Sequence, residues 1–218
     1  MNMRAMYKKI LYAGCMLLFL AACTPDTVEM NDYSAPFVTH SPLLVNVNGE
    51  VSIADGSRGV KSRVWTFPEG GVVDVKEADG DPRIVFVTFL QPGTFNVHLQ
   101  TTFNDPAISQ LDTTLVITVL DDVDANFISN APLVGGTRVI EAGQSVTYEN
   151  NSSGEPNTFM WTFEGATPSS ESGEEVTIQY DYPGTWDVTL IAYRMKPYGR
   201  DTIQVRNYIT VLPSSGGE

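Results

Sequence analysis

The sequence predicts an all-β protein built from two tandem β-sandwich domains, and three observations lead to this prediction. The chain of 218 residues contains 18 Gly and 13 Pro, a composition that favours short strands and turns over long helices. Several short segments alternate apolar with polar residues in steps of two, as strands with one buried face do. The same series of segments also occurs twice, about 90 residues apart, which indicates an internal repeat.

The first 22 residues resemble an export signal that is removed from the mature protein. Three cations, at positions 4, 8 and 9, precede an apolar run over 10–22, which is shorter than the about 20 residues that a spanning helix needs. The ending Leu20-Ala21-Ala22-Cys23 resembles the lipobox of bacterial lipoproteins. In that family the leader is cut before the cysteine, which is then acylated, for example with palmitate. The resemblance implies that Cys23 anchors the chain in the outer membrane, at the cell surface of a Gram-negative bacterium. The alternative is an ordinary secretory signal followed by an unrelated cysteine.

Removal of the leader changes the charge and cysteine content. The chain carries 13 Lys+Arg against 26 Asp+Glu, a net charge of −13, and loss of the three leader cations gives −13 − 3 = −16. This acidic excess excludes nucleic acid as a partner, because phosphate binding requires clustered cations. Cys15 leaves with the leader and Cys23 carries lipid, so we expect no disulfide, thiolate zinc site or cysteine nucleophile.

Four pairs of segments define the repeat and follow the same order in both halves of the chain. Changes in their spacing indicate extra residues near 76–81 in the first repeat and near 150–157 in the second; both stretches are turn-like. The pairs are Phe37-Val38 with Phe127-Ile128, Val64-Trp65-Thr66-Phe67 with Met160-Trp161-Thr162-Phe163, 92–97 with 183–188, and 117–120 with 209–212.

The repeat and the composition divide the chain into five parts. Residues 23–35 are polar and acidic and predict a tether, and 214–218 resemble a linker. Between them, the boundaries of the two domains are predicted at 36–121 and 122–213.

Within each repeat, the segments are predicted to be strands. Residues 84–89 and 115–119 are β-branched runs bounded by turn residues. The segments 94–99 and 185–190 alternate, which predicts one buried face in each. About seven short strands in some 90 residues are typical of an immunoglobulin-like sandwich.

The aromatic residues of the repeat indicate its core. Trp65 and Trp161 each stand two residues before a Phe, so each tryptophan shares a face with that Phe. We therefore expect both tryptophans, and Trp186, to be packed inside the domains.

Three segments of the second repeat resemble the PKD domain, in the variant common in surface lipoproteins of Bacteroidetes. The family's usual Trp-Asp-Phe-Gly-Asp-Gly core is altered in both copies, with Ala166 at its last position in the second. The resemblance covers 36–213 and implies an immunoglobulin-like fold and a role as spacer, adhesion module or glycan-binding module. The segments are 161–168, 182–190 and 207–211.

The sequence offers little for catalysis. His40 and His98 are the two histidines, and no Gly-x-Ser-x-Gly elbow, phosphate loop or His-Glu-x-x-His pair is present. Small sandwiches also provide little cleft for a pair of catalytic carboxylates. We expect a protein that is not an enzyme and has no cofactor other than a possible calcium ion. One alternative stays open: because the tail resembles a linker, the chain would be the N-terminal part of a larger surface glycoside hydrolase.

A calcium site is one candidate at the predicted domain junction. Asp121, Asp122 and Asp124 bring hard oxygen ligands together in sequence, which suits Ca²⁺, and some PKD domains bind calcium near a domain end. The alternative is an acidic, solvated hinge.

A glycan-binding site is the other candidate. Tyr193, Arg194, Tyr198 and Arg200 surround a turn at Lys196-Pro197, where we expect exposed rings and cations. The alternative is a basic solvated turn that orients the domain against an acidic neighbour. Together with the lipobox and PKD resemblances, these residues predict a non-catalytic surface protein that presents or binds polysaccharide beside transporter or hydrolase partners. The alternative is a spacer or a protein–protein adhesion module.

Overall fold

The computed structural model describes residues 35–215, and every regular element in that range is a β-strand. The same residues contain no helix long and apolar enough to cross a bilayer. The predicted leader, Cys23 and most of the predicted tether lie outside the described residues, as do the last three residues of the tail.

The first domain is a sandwich of two four-stranded sheets. Its strands are β1 (Val38–His40), β2 (Leu44–Asn46), β3 (Glu50–Asp55), β4 (Val60–Thr66), β5 (Val73–Ala78), β6 (Asp81–Phe89), β7 (Gly93–Phe103) and β8 (Leu111–Leu120). One sheet has the order β1-β3-β6-β5 and the other β2-β8-β7-β4. All pairs are antiparallel except that of β2 with β8.

The second domain contains a six-stranded and a three-stranded sheet. Its strands are β9 (Phe127–Ser129), β10 (Leu133–Val134), β11 (Thr137–Glu141), β12 (Gln144–Asn150), β13 (Thr158–Phe163), β14 (Ser170–Ser172), β15 (Glu175–Tyr180), β16 (Gly184–Met195) and β17 (Tyr198–Leu212). The sheet orders are β10-β11-β17-β16-β13-β14 and β15-β12-β9. Strand β11 runs parallel to β17, as β2 does to β8 in the first domain.

The two domains share one framework of strands, which confirms the predicted class of two tandem immunoglobulin-like sandwiches. Strands β1, β3 and β6 correspond to β9, β12 and β15, and β2, β8, β7 and β4 correspond to β11, β17, β16 and β13. The domains differ in the strand that follows β4 or β13. In the first domain this strand, β5, pairs with β6, whereas in the second, β14 pairs with β13.

The core of the second domain is built around Trp161, which is 1% exposed. Its ring stacks on Phe163 at 5.8 Å between centroids and meets Phe127 edge-on at 5.5 Å. The indole N–H donates to the carbonyl of Gly173 over 2.9 Å, so the polar edge of this buried ring is satisfied. The expectation of a core tryptophan is confirmed here.

Two tyrosines complete that core. The hydroxyls of Tyr148 and Tyr180, both on the three-stranded sheet, lie 2.8 Å apart. Burial raises the pKa of Tyr180 to about 12, and burial also raises that of Tyr148. Both hydroxyls therefore stay neutral and pair with each other inside the sandwich.

The first domain buries its tryptophan less completely. Trp65 packs against the core of the first domain as expected, but it is only half-buried, which corrects the expectation of a fully buried ring. Its indole N–H still donates to a backbone carbonyl, that of Pro82, over 3.0 Å. In the second domain β14 pairs with β13, whereas in the first domain the following strand, β5, pairs with β6 and not with β4. Trp65 therefore lies on an edge strand. The core here is mainly aliphatic: Val51, Ile53, Val85, Val87, Phe89, Val97, Ile117 and Val119.

The predicted core position of Trp186 is also half-buried. Its ring lies against Gly165 and Gly184, and a Cβ at either glycine would collide with the indole. Gly165 in addition has a φ of +65°, a conformation that favours glycine. The ring thus caps the end of the sandwich above two glycines.

Candidate functional site

The hairpin of β16 and β17 carries the predicted glycan-binding residues. Tyr193 lies directly opposite Arg200, and Met195 lies opposite Tyr198. Residues opposite each other in an antiparallel pair share a face, so Tyr193 and Arg200 are neighbours on the outer face. Tyr198 is 61% exposed and Tyr193 is half-buried. The structure therefore brings three of the four predicted residues to one exposed surface.

The fourth residue, Arg194, points the other way, and its prediction as an exposed cation is wrong. It is 2% exposed because it follows the inward-facing series Val188, Leu190 and Ala192 on β16. Alternation along the strand places its side chain at the inner end of the sandwich, against the first domain.

Arg194 joins the two domains through hydrogen bonds. Its Nη2 donates to Oδ1 of Asn46 at 2.8 Å and to the carbonyl of Asp121 at 2.7 Å. Its Nε donates to the carbonyl of Pro197 at 3.1 Å, while Nδ2 of Asn46 donates to the carbonyl of Tyr198 at 2.7 Å. Its Nη1 is buried without a partner among the described residues. Neutral oxygens thus hold this guanidinium at the junction.

The connection between the domains packs against the same hairpin. Val123 is buried, and the backbone N–H of Ala125 donates to Oδ2 of Asp201 at 2.8 Å. Gly199 faces Val123 so closely that a Cβ there would lie 2.9 Å from its Cγ2. The segment after β8 is therefore a packed part of the junction.

The predicted calcium ligands are not gathered into one site. Asp121, Asp122 and Asp124 are all exposed, and Oδ1 of Asp121 accepts the backbone N–H of Asp122 at 3.0 Å. Across residues 35–215, no group of three or more His, Cys, Asp or Glu is placed to hold a metal ion.

A groove of about 700 Å³ lies beside the Arg194 contact and is open to solvent. Its walls come from both domains, with Pro42 and Leu44 on one side and Met195, Lys196 and Pro197 on the other. The groove therefore lies between the first domain and the turn of the β16–β17 hairpin.

Both histidines have local partners. Nε2 of His98 lies 2.7 Å from Oδ1 of Asp112 on the outer face of the first domain, and the hydrogen bond from His98 lowers the pKa of Asp112. Nδ1 of His40 lies 2.8 Å from the carbonyl of Ser41. His98 is thus a half-buried residue of β7 with a carboxylate partner.

Sequence reasoning missed the first-domain half of the junction. Asn46 ends a three-residue strand and is separated from Arg194 by 148 positions, so no local pattern links the two. The inward position of Arg194 did have a signal, because it follows three small or apolar residues at steps of two.

Comparisons with known proteins find one family model and several similar solved structures. A family model described as the PKD domain matches residues 130–206. One similar solved structure is the full ectodomain (Ig1–Ig3) of mouse nectin-like molecule 4, with 16% identity, 84% of this chain and 66% of that chain covered, and a TM-score of 0.42. A second is Dpr2 Ig1–Ig2 in complex with DIP-Theta Ig1–Ig3, with 14% identity, 84% and 67% coverage and a TM-score of 0.49. A third is the insect immune protein hemolin, with 12% identity, 87% and 49% coverage and a TM-score of 0.39. This chain therefore spans about two thirds or less of these structures. No curated protein matches.

Proposed function

We propose that this chain, with a PKD domain in the second of its two immunoglobulin-like sandwiches, is a non-catalytic, lipid-anchored spacer or adhesion module of the bacterial outer membrane. Domains of this kind are typical of adhesion and spacer modules. The fold alone does not assign a function, so the proposal is carried by one observation of this chain. That observation is the buried Arg194, which ties the second sandwich to Asn46 and Asp121 of the first.

The rigidity of the domain junction determines how far from its anchor the chain can present its far end. Two sandwiches on a loose linker move relative to each other, as domains with small interfaces do by default. Separating the domains would break the hydrogen bonds that Nη2 of Arg194 donates to Asn46 and to the carbonyl of Asp121, and hydrogen bonds from a charged group contribute more to stability than neutral ones. A module held in one orientation presents its far end at a defined distance from the anchor, as a spacer requires.

Replacement of Arg194 by alanine is expected to release the two domains from each other. We would measure distances by double electron–electron resonance between spin labels at Thr114 and Thr202, both exposed, in the mature Cys23→Ala chain. The parent should give one narrow distribution, and Arg194→Ala should broaden it about two-fold, because the hydrogen bonds across the junction are lost. Arg200→Ala, which removes an exposed cation six positions away, is the control and should leave the distribution unchanged. A broad distribution in the parent chain would contradict the proposal.

The anchor is supported by the resemblance of 20–23 to a lipobox. The Cys23→Ala variant should therefore move from the membrane fraction to the soluble fraction after cell lysis, since a lipoprotein cysteine supplies the several acyl chains that stable anchoring needs. Immunoblotting of the two fractions measures this. Continued membrane association of the variant would refute the lipid anchor at Cys23. The spacer proposal would then be tested by the distance measurement alone.

A second candidate function is polysaccharide capture at the β16–β17 hairpin. The observation that favours it is the pairing of Tyr193 with Arg200 on one face, beside the exposed Tyr198. Aromatic rings offer an apolar face to a sugar ring, while a guanidinium can donate several hydrogen bonds. In this version the module presents bound glycan to a surface transporter or hydrolase in a polysaccharide-uptake system.

Affinity electrophoresis against plant, algal and fungal polysaccharides tests glycan capture. If the hairpin binds sugar, at least one polysaccharide should retard the parent chain, and the double change Tyr193→Ala and Tyr198→Ala should abolish the retardation. Tyr182→Ala is the matched control, because Tyr182 is also exposed but stands before the opposite end of β16. If no polysaccharide retards the parent chain, the result would contradict glycan capture and favour the spacer role.

A further inference from the structure

Strand β4 of the first domain leaves one edge of its sheet unpaired. It is the last strand in the order β2-β8-β7-β4, and β7 is its one strand partner within residues 35–215. Its counterpart β13 is paired on both sides, with β16 and with β14. Unpaired edges present backbone N–H and C=O groups that can accept a further strand.

The second domain shows what occupies this edge when it is covered. There, β14 lies along β13 with Ser172, Glu171 and Ser170 opposite Met160, Trp161 and Thr162. The equivalent residues of β4 are Val64, Trp65 and Thr66. The tryptophan contact is kept in both domains, because each indole N–H donates to a backbone carbonyl. The covering strand is not kept, since β5 pairs with β6 instead.

The side chains of the edge indicate the chemistry of an added strand. Lys61 is exposed on β4, and Arg58, whose backbone is bridged to Ala35, is exposed shortly before the strand begins. Arg63 is held by the buried Asp55 at 2.7 Å. These cations are concentrated in a chain whose net charge is −13. Opposite charges across a strand pair stabilise it and like charges destabilise it. An acidic strand would complement Lys61, whereas a second copy of β4 would bring further cations to the same edge.

We propose that the free edge of β4 binds an extended acidic segment of a partner polypeptide, added as a strand in the position that β14 occupies on β13. Backbone hydrogen bonds would supply most of the affinity, and a carboxylate near Lys61 together with contact on Val64 would supply selectivity. This surface adds a protein partner to the proposed spacer or adhesion role. It does not depend on the Arg194 junction, so the two proposals can fail separately.

Titration of a peptide into the isotope-labelled mature chain tests the proposal by NMR. The peptide has the sequence of residues 169–175, Ser-Ser-Glu-Ser-Gly-Glu-Glu, which includes β14. We expect saturable shifts of the backbone amides of 61–66. In the register of β14 on β13, the N–H of Glu171 faces the partner strand, so the same peptide with N-methylated glutamate at position 171 should give no shifts, because it has no N–H to donate there.

Two variants with equal exposure separate edge binding from a general charge effect. Val64 on the edge strand β4 and Val116 on the inner strand β8 are each 53% exposed. Val64→Glu should weaken peptide binding about five-fold by adding a negative charge to the edge that the acidic peptide approaches, and Val116→Glu should leave binding unchanged. Absence of shifts at 61–66, or equal weakening by both variants, would overturn the proposal. Concentration-dependent dimerisation that Val64→Glu abolishes, without peptide binding, would also overturn it and assign the edge to a second copy.

Discussion

Replacement of Trp161 by alanine is expected to lower the free energy of unfolding of the second domain by about 3–5 kcal/mol. The indole is 1% exposed, packs on Phe163 and Phe127, and donates a hydrogen bond to Gly173. Its removal leaves a large cavity and an unsatisfied carbonyl, and a close-packed sandwich cannot collapse to fill such a space. Native-state hydrogen exchange measures the loss, because it reports on each domain separately.

The first domain supplies the matched control. Trp65 occupies the same place in the repeat and also donates to a backbone carbonyl, but it is half-buried on an edge strand. The Trp65→Ala variant should therefore lose clearly less stability than Trp161→Ala. Equal losses in the two domains would mean that the difference in burial does not set the energetic role of these residues.

Replacement of Asp55 by alanine is expected to lower the stability of the first domain by about 3–5 kcal/mol, because it removes one partner of a buried ion pair. Asp55 is 1% exposed and accepts hydrogen bonds from Nε of Arg63 at 2.7 Å, Oγ1 of Thr101 at 2.8 Å and the N–H of Ser57 at 2.9 Å. Without the carboxylate, the largely buried guanidinium and two further donors lose their acceptor. Hydrogen exchange in β3 and β7 measures this effect.

The same residue makes the first domain sensitive to acid. Burial by itself would raise the pKa of Asp55, but the hydrogen bonds from Ser57, Arg63 and Thr101 together outweigh burial and lower the pKa below 3.8. A carboxyl with a depressed folded-state pKa contributes stability above its unfolded-state pKa. That contribution is lost as the pH falls through the folded-state value. The stability difference between the parent chain and Asp55→Asn should therefore be largest near pH 7 and shrink below about pH 4. An unchanged difference at pH 7 and pH 3 would contradict this role.

Strand positions and the repeat followed from local patterns of residues. The segment 94–99 alternates apolar with polar residues, and it lies within β7, which extends to Phe103. The tryptophan of the second repeat is buried beside its Phe, as the spacing of two residues predicts. The alternation of apolar and polar residues predicts burial here because a sandwich buries one face of each strand, so neighbouring residues show which side chains face the core.

The candidate site followed from local pattern only in part. Tyr193, Tyr198 and Arg200 share an exposed surface as expected, but Arg194 turned out to join the domains. No local sequence pattern indicates the contact with its partner Asn46, because the two residues are 148 positions apart. The three aspartates of the predicted calcium site are not gathered in residues 35–215 for a related reason: neighbouring acidic residues converge only where the fold bends the chain around an ion.

Local pattern in the chain is thus sufficient for the all-β class, the two repeated sandwiches and most of the buried faces, since each depends on residues a few positions apart. Contacts between distant segments settle the rest. They determine that β5 joins β6 while β14 joins β13, that Trp65 is more exposed than Trp161, and that Arg194 is buried at the junction. Each of these outcomes depends on which surface a segment packs against in the folded chain. The energy of that contact comes from residues far apart in the sequence, so no local pattern contains it.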